Sequence, residues 1–200
     1  MIARTVLGLA TILFVPGSGF AADPTPESLQ VTPEVHWYRF DDGLLAARDA
    51  EKHIMVDVYT DWCGFCKKLD RETYSDATVR KVLSESYVSV KLKGDSGARL
   101  KLRGQPLSDG GKTRLQIVPT DEPQIAERDL SRYQLRGTGF PTIVFFSSDG
   151  RMITSISGFR DAGSLMHILN FIKDDLYEVM SFQDYLKSLE KITESAKDRS

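Results

Sequence analysis

Ile54-Met55-Val56-Asp57-Val58-Tyr59, followed after Thr60 by Asp61-Trp62-Cys63-Gly64-Phe65-Cys66-Lys67-Lys68, decides how this chain is read. The first run is almost continuously apolar. It reads as a buried central strand interrupted by one carboxylate. The second follows at once and opens a helix expected to run from about residue 64 to 72. Cys63 and Cys66 are the only two cysteines among 200 residues, and they lie one helical turn apart. Two thiols at that spacing can close a small disulfide and open it again. With no third cysteine, the pair reacts with itself or with a cysteine on another molecule, which points to thiol–disulfide exchange. A disulfide across two intervening residues restrains little of the unfolded chain, so the pair makes a poor staple.

Working outward, residues 40–52 carry Leu44, Leu45, Ala47 and Arg48 in a helical pattern, with Asp41 or Asp42 as N-cap. A second helix is expected over 76–86, capped by Ser75 or Asp76, with Val79, Val82 and Leu83 turned inward. Residues 87–92 read as another strand. From 94 to 121 the pattern weakens into an inserted loop or hairpin, with Leu100, Leu102, Leu115, Ile117 and Val118 as strand fragments. A helix is expected to resume near Glu122, with Pro123 in its first turn and Ile125, Leu130 and Tyr133 on one face. Residues 142–146 form a strongly apolar strand. A turn at Ser148-Asp149-Gly150 leads to an alternating edge strand over 152–157. Helices follow over 165–172 and, as an extra C-terminal element, about 181–196. The order of elements predicts an α/β fold, a mixed sheet covered by helices on both faces.

The chain starts with a short basic segment, then an apolar run over 5–15. Pro16-Gly17-Ser18-Gly19 breaks it, and Phe20-Ala21-Ala22 offers small residues for cleavage. Residues 1–21 therefore read as an export signal. The run is shorter than the roughly 20 residues a bilayer span needs. Residues 22–39 read as a flexible lead-in, and 40–200 as the folded domain. The formal net charge of −2 gives no overall attraction to nucleic acid or to anionic membrane. An exported chain with one close cysteine pair lacks the several long-loop pairs by which secreted domains are usually stapled.

Several separated elements fall in one order: Val56-Asp57, the motif from Asp61 to Lys67, Lys91, and Gly139-Phe140-Pro141-Thr142. Together they resemble the thioredoxin superfamily from about residue 44 to 172, interrupted by the 94–121 insertion. The Ser75-Asp76 and Val79 pattern after the motif is similar to the subgroup that includes the C-terminal periplasmic domain of the disulfide interchange protein DsbD.

The resemblance implies a thioredoxin fold, with the insertion lying before the helix that leads to a cis-proline. It implies that Cys63, at a helix N-terminus that favours a thiolate, is the solvent-facing nucleophile. Cys66, more buried, resolves the mixed disulfide. Asp57 matches the family's buried acid, six residues before the first cysteine. Burial raises a carboxyl pKa, so Asp57 can accept a proton from the resolving thiol. Lys91 matches the lysine near that acid. Pro141 resembles the family's cis-proline, which leaves the Phe140 backbone to pair with an extended client segment. Trp62, Gly64, Phe65, Phe140 and Pro141 are the candidate substrate-binding residues. The Gly64-Phe65 dipeptide departs from the Gly-Pro of thioredoxins.

These implications amount to an exported oxidoreductase, periplasmic or secreted, that reduces protein disulfides with no cofactor beyond its own cysteine pair. A reductant in an oxidising compartment needs re-reduction, and a membrane electron donor of the DsbD type is the implied partner. Tetrahedral zinc needs two ligands beyond the cysteines, and His36, His53 and His167 form no ligand-like pair, so no metal is expected. Gly110-Gly111-Lys112-Thr113 is not a phosphate loop, because Pro106 stands where its first glycine belongs. The basic residues Arg99, Lys101, Arg103, Lys112 and Arg114 read as a solvated loop. Two alternatives stay open: a thioredoxin-like binding scaffold, and an oxidase or isomerase built on the same residues.

Overall fold

The structure is a computed structural model that describes residues 33–109, 112–122, 124–131 and 139–197. The export signal read over 1–21 lies outside the described residues. The central strand, β2, is His53–Tyr59. It pairs in parallel with β3, Tyr87–Lys93, and antiparallel with β8, Thr142–Phe146. A short strand β1, Trp37–Tyr38, pairs in parallel with the far side of β3. At the opposite edge lies β9, Met152–Ser157, antiparallel to β8. The order is β1-β3-β2-β8-β9, a mixed sheet with the expected edge strand at one end.

Alternation along the strands divides this sheet into two buried faces. Under α1, Phe40–Ala50, lie Ile54, Val56 and Val58 of β2 with Val88, Val90 and Leu92 of β3. Phe40, Leu44 and Ala47 of α1 fill that side at helical spacing. Met55, Tyr87, Ile143 and Phe145 face the other way. They meet the helical segment after the cysteines, α3 at Ala77–Ser86 and α5 at Ala162–Lys173.

Local chemistry explains most element ends. Asp76 caps α3, its carboxylate accepting from the N–H groups of Thr78 and Val79. Neither Asp41 nor Asp42 caps α1. The N-cap is Arg39, and the two acids lie in the first turn, where they favour the helix dipole instead. The expected helix over 64–72 is α2, Gly64–Lys68, continued by a π-helical turn, Leu69–Thr73. The C-terminal helix is α6, Phe182–Lys197. Its Phe182 meets Phe171 of α5 edge-on, and its Tyr185 packs on the same ring at a tilt. No helix among the described residues is long and apolar enough to cross a membrane.

Two expectations need correction, and a third gains detail. The stretch 22–39, read as a flexible lead-in, ends in structure: Val35 is buried and β1 joins the sheet. Two residues were too few to register as a strand pattern, and the free edge of β3 recruits them. The 94–121 insertion holds a two-residue strand β4, Arg99–Leu100, and a long hairpin of β5, Leu102–Asp109, with β6, Lys112–Pro119. The hairpin alternative is the one observed, and its base joins the core: Leu100, Leu102 and Ile117 are fully buried on the α1 side. The Ile117 N–H donates to the Gly150 carbonyl at 2.8 Å. Gly150 has φ +83, and a Cβ there would stand 2.2 Å from the Ile117 carbonyl oxygen. Only glycine allows that approach.

The second correction concerns the helix near Glu122. Ile125–Ala126 instead forms strand β7 against β4. The N–H of Gln124 donates to Leu100 O and that of Glu127 to Ala98 O. Cross-strand bonds claim the backbone that a helix would have used. The helix α4 starts at Glu127–Asp129. Leu130 of the predicted face is buried, whereas Pro123 and Tyr133 lie outside the described residues.

Candidate active site

The motif leaves the end of β2 and turns sharply into α2. The N–H of Cys63 donates to Thr60 O at 3.2 Å, and that of Lys67 to Cys63 O at 3.2 Å. Cys63 is the N-cap of α2, and its Sγ accepts the Cys66 N–H at 3.0 Å. The first-turn N–H groups have no carbonyl partner within the helix. Directing one at the sulfur favours negative charge there. Cys63 and Cys66 form a disulfide. Cys63 is 5% exposed and Cys66 2%, so the expectation of a solvent-facing Cys63 needs qualifying. In the oxidised pair Sγ of Cys63 folds inward over the first turn, onto the Cys66 amide and sulfur. Only a sliver of Cys63 reaches the surface.

Two exposed aromatic side chains flank the pair, Trp62 at 70% and Phe65 at 62%. Gly64 opens the helix, with nothing within 4 Å of where a Cβ would sit. The Trp62 Nε1–H donates to Asp95 at 3.1 Å, and its ring meets Phe140 edge-on at 5.7 Å. Lys93 pairs with Asp61, so the end of β3 and the loop after it each hold the motif arm at one point. The Phe140–Pro141 peptide is cis. Because Val58 pairs with Thr142, Pro141 lies beside the end of β2 from which the motif departs. Its carbonyl accepts the Gly158 N–H at 2.8 Å, and Thr142 Oγ1 donates to Gly139 O at 2.7 Å. The Phe140 ring fills the space that a side chain at Gly94 would need, since a Cβ there would come within 2.3 Å of it.

Asp57 is fully buried in the middle of β2, and it lies opposite Lys91 in the parallel register. Lys91 Nζ donates to Asp57 Oδ2 and to Asp70 Oδ1, each at 2.5 Å. The rings of Trp37, Tyr74 and Tyr59 surround the same ammonium at 4.7, 5.1 and 5.2 Å. Burial pushes the Asp57 carboxyl above its ordinary pKa, and the attraction of Lys91 offsets only part of that rise. Burial alone would lower Lys91, but Asp57 and Asp70 outweigh it and hold the amine charged. Asp57 is hydrogen-bonded to neither cysteine, and among the described residues its one hydrogen bond goes to Lys91.

A family model described as Thioredoxin-like domain matches residues 40–173. The chain belongs to this thioredoxin-like family. DsbD, the thiol:disulfide interchange protein of Yersinia enterocolitica, is 30% identical over 122 residues, 60% of this chain and 16% of that protein. DsbD of Actinobacillus pleuropneumoniae is 27% identical over 121 residues, again 60% of this chain and 16% of that one. The chain thus spans about a sixth of the length of these relatives. Among solved structures, a DsbH oxidoreductase superposes with TM-score 0.52 at 18% identity, covering 78% of this chain and 95% of that one. A thioredoxin-fold protein from Helicobacter pylori gives 0.50 at 14%, covering 80% and 99%. The fold is that of thioredoxin, and the family is one of thiol–disulfide oxidoreductases with a Cys-X-X-Cys pair, here at disulfide distance.

The nine residues singled out from sequence fall into two groups in this thioredoxin-like domain. Cys63, Cys66, Trp62, Gly64, Phe65, Phe140 and Pro141 gather at the ends of β2 and β8. Asp57 and Lys91 form a buried pair within the sheet. Sequence reading missed Asp70, Tyr74, Trp37, Tyr59, Gly94 and Asp95. Asp70 had a signal, since it follows Cys66 by four residues and so shares its helix face. The three rings around Lys91 come from three separate segments and left no local trace. Among the described residues no three His, Cys, Asp or Glu side chains group closely enough to hold a metal ion.

Proposed function

We propose that this protein is an exported thiol–disulfide oxidoreductase that reduces disulfides in protein clients. The Cys63 thiolate attacks a client disulfide, forming a Cys63–client bond and releasing one client thiolate. Asp57 takes the proton of the Cys66 thiol. The Cys66 thiolate then attacks Cys63 Sγ and expels the second client sulfur, which is protonated. The client gains two electrons, and Cys63–Cys66 becomes the disulfide. Trp62, Phe65 and Phe140 offer apolar contact to the client around the sulfurs, with Gly64 leaving room at the helix start. The cis-Pro141 turn leaves the Phe140 backbone for an extended client segment.

The observation that carries this reading is the Cys63 sulfur at a helix N-cap, receiving the Cys66 N–H in a motif that exposes two aromatic side chains, Trp62 and Phe65. The likeness to DsbD supports an interchange role. The reductive direction, a DsbD-type membrane donor for re-reduction, and cleavage of residues 1–21 on export to the periplasm or exterior belong to the proposal. Purified mature protein should accelerate reduction of insulin disulfides, and Cys63→Ser should abolish that acceleration. Undiminished activity in the variant would remove Cys63 as nucleophile. Equilibration with glutathione tests direction: a strongly oxidising potential would reverse the electron flow proposed here.

A further inference from the structure

Among the described residues, two buried oxygens next to the Lys91 ammonium have no hydrogen-bond partner: Asp57 Oδ1 and the Tyr74 hydroxyl. A buried polar atom without a partner costs on the order of 1–3 kcal/mol, so two such atoms in one pocket call for a reason. They are near neighbours. Lys91 Nζ, bonded to Asp57 Oδ2, lies 5.1 Å from the Tyr74 ring centre. The two groups also shift each other's ionisation. The hydroxyl favours the Asp57 carboxylate, and the carboxylate, after burial itself, helps push the phenol well above its ordinary value. Part of that mutual shift has hydrogen-bond character, so hydroxyl and carboxylate are in close approach, but the contact falls short of full hydrogen-bond geometry.

We propose that Tyr74 is a positioning residue for Asp57: its hydroxyl swings onto Oδ1 as a donor when the carboxylate is ionised, and lets go when the acid is protonated. Lys91 is already committed to Oδ2 and to Asp70, so Oδ1 is the oxygen left to receive a proton. In the resolving step the Cys66 proton moves to Oδ1, the Tyr74 bond opens, and the Cys66 thiolate is freed to attack Cys63. When Asp57 gives up that proton, the Tyr74 bond closes again. The hydroxyl sets the pH at which the acid is ready to accept. The inference rests on the reading of Asp57 as the proton acceptor.

The groups that act on Asp57 are Lys91 from β3, Asp70 from the π-helical turn and Tyr74 at its end. Its neighbour on β8, Ile143, carries no charge, and the cysteines do not titrate while disulfide-bonded. A donor to the ionised form lowers an acid's pKa. Tyr74→Phe should therefore move the Asp57 titration upward by about one pH unit, read by carbon-detected NMR on the full mature chain. The Tyr74 ring carbon bearing the hydroxyl should titrate in step with Asp57 in the unmodified protein, an observation that needs no variant. An unmoved Asp57 titration in Tyr74→Phe, or a Tyr74 signal blind to Asp57, overturns the proposal.

The kinetic arm separates this idea from the reading beneath it. Below the raised pKa, Tyr74→Phe should slow the resolving step about tenfold, and in the Asp57→Asn background it should change nothing more. A further pH shift in that background overturns the proposal, because the hydroxyl would be acting on another group. If Asp57→Asn leaves the pH profile of exchange untouched while the NMR titration still shifts, the positioning role stands and the proton-acceptor reading fails.

Discussion

The sheet face beneath α1 buries Ile54, Val56 and Val58 beside Val88, Val90 and Leu92, all aliphatic. The opposite face of the same two strands sets Met55 and Asp57 beside Tyr87, Ser89 and Lys91. Asp57 and Ser89 are as buried as the valines behind them. The second face also carries the orphaned oxygens of Asp57, Tyr74 and Ser89, and one more, Thr60 Oγ1, lies just past the end of β2. One side is specialised for packing. The other gives up some packing energy to hold titratable groups beneath the motif. Degree of burial does not tell them apart; what the alternation places on each side does.

The largest test moves the acid one residue along. Val56→Asp would put a carboxylate on the aliphatic face with no cation to meet it. A loss above about 4 kcal/mol is expected, enough to leave the chain unfolded by circular dichroism. A folded variant would break the contrast. Next, Phe40→Ala on the packing face should cost about 3–5 kcal/mol in denaturant unfolding, with insulin reduction per folded molecule unchanged. Reduced turnover in the folded fraction would show that the packing face also serves the chemistry.

Asp57→Asn should do the reverse, slowing exchange while stabilising the fold. The Asp57 pKa is raised in the folded state, so the native protein holds this proton more tightly than the unfolded chain does. The contribution to stability is therefore fullest below the unfolded value of about 3.9 and is lost as pH rises through the folded pKa. Relative to the unmodified protein, the variant should be more stable at pH 8 than at pH 4.5. An equal stability difference at both pH values would remove the desolvated acid. The smallest effect is expected for Ser89→Ala. Deleting a buried hydroxyl that bonds nothing should be neutral or stabilising by up to about 1 kcal/mol. A clear loss would mean that the hydroxyl has a partner.

Much of this was legible in the chain. The alternation of β2 and β3, the caps at Asp76 and the helix start after Cys63, and the order of strands and helices are local signals, written at spacings of two and about four residues. The hairpin was half visible, because its apolar fragments stood out while their burial against Gly150 did not. The helix expected at Glu122 failed because local propensity was outbid by pairing with Arg99 and Leu100, which no window around Glu122 contains. Strand β1 was missed for the same reason, since two residues become a strand only when β3 offers an edge.

The chain alone determined the cysteine spacing, the lone acid in an apolar strand and the proline at Pro141, because each depends on neighbours a few residues away. Tertiary structure decided which groups that acid meets. Lys91 comes from β3 while Asp70 and Tyr74 come from the π-helical turn after the cysteines, and Gly94 makes room for Phe140 from 46 positions away in sequence. Electrostatics and steric exclusion act through distances in space, and those distances exist only after the sheet has closed.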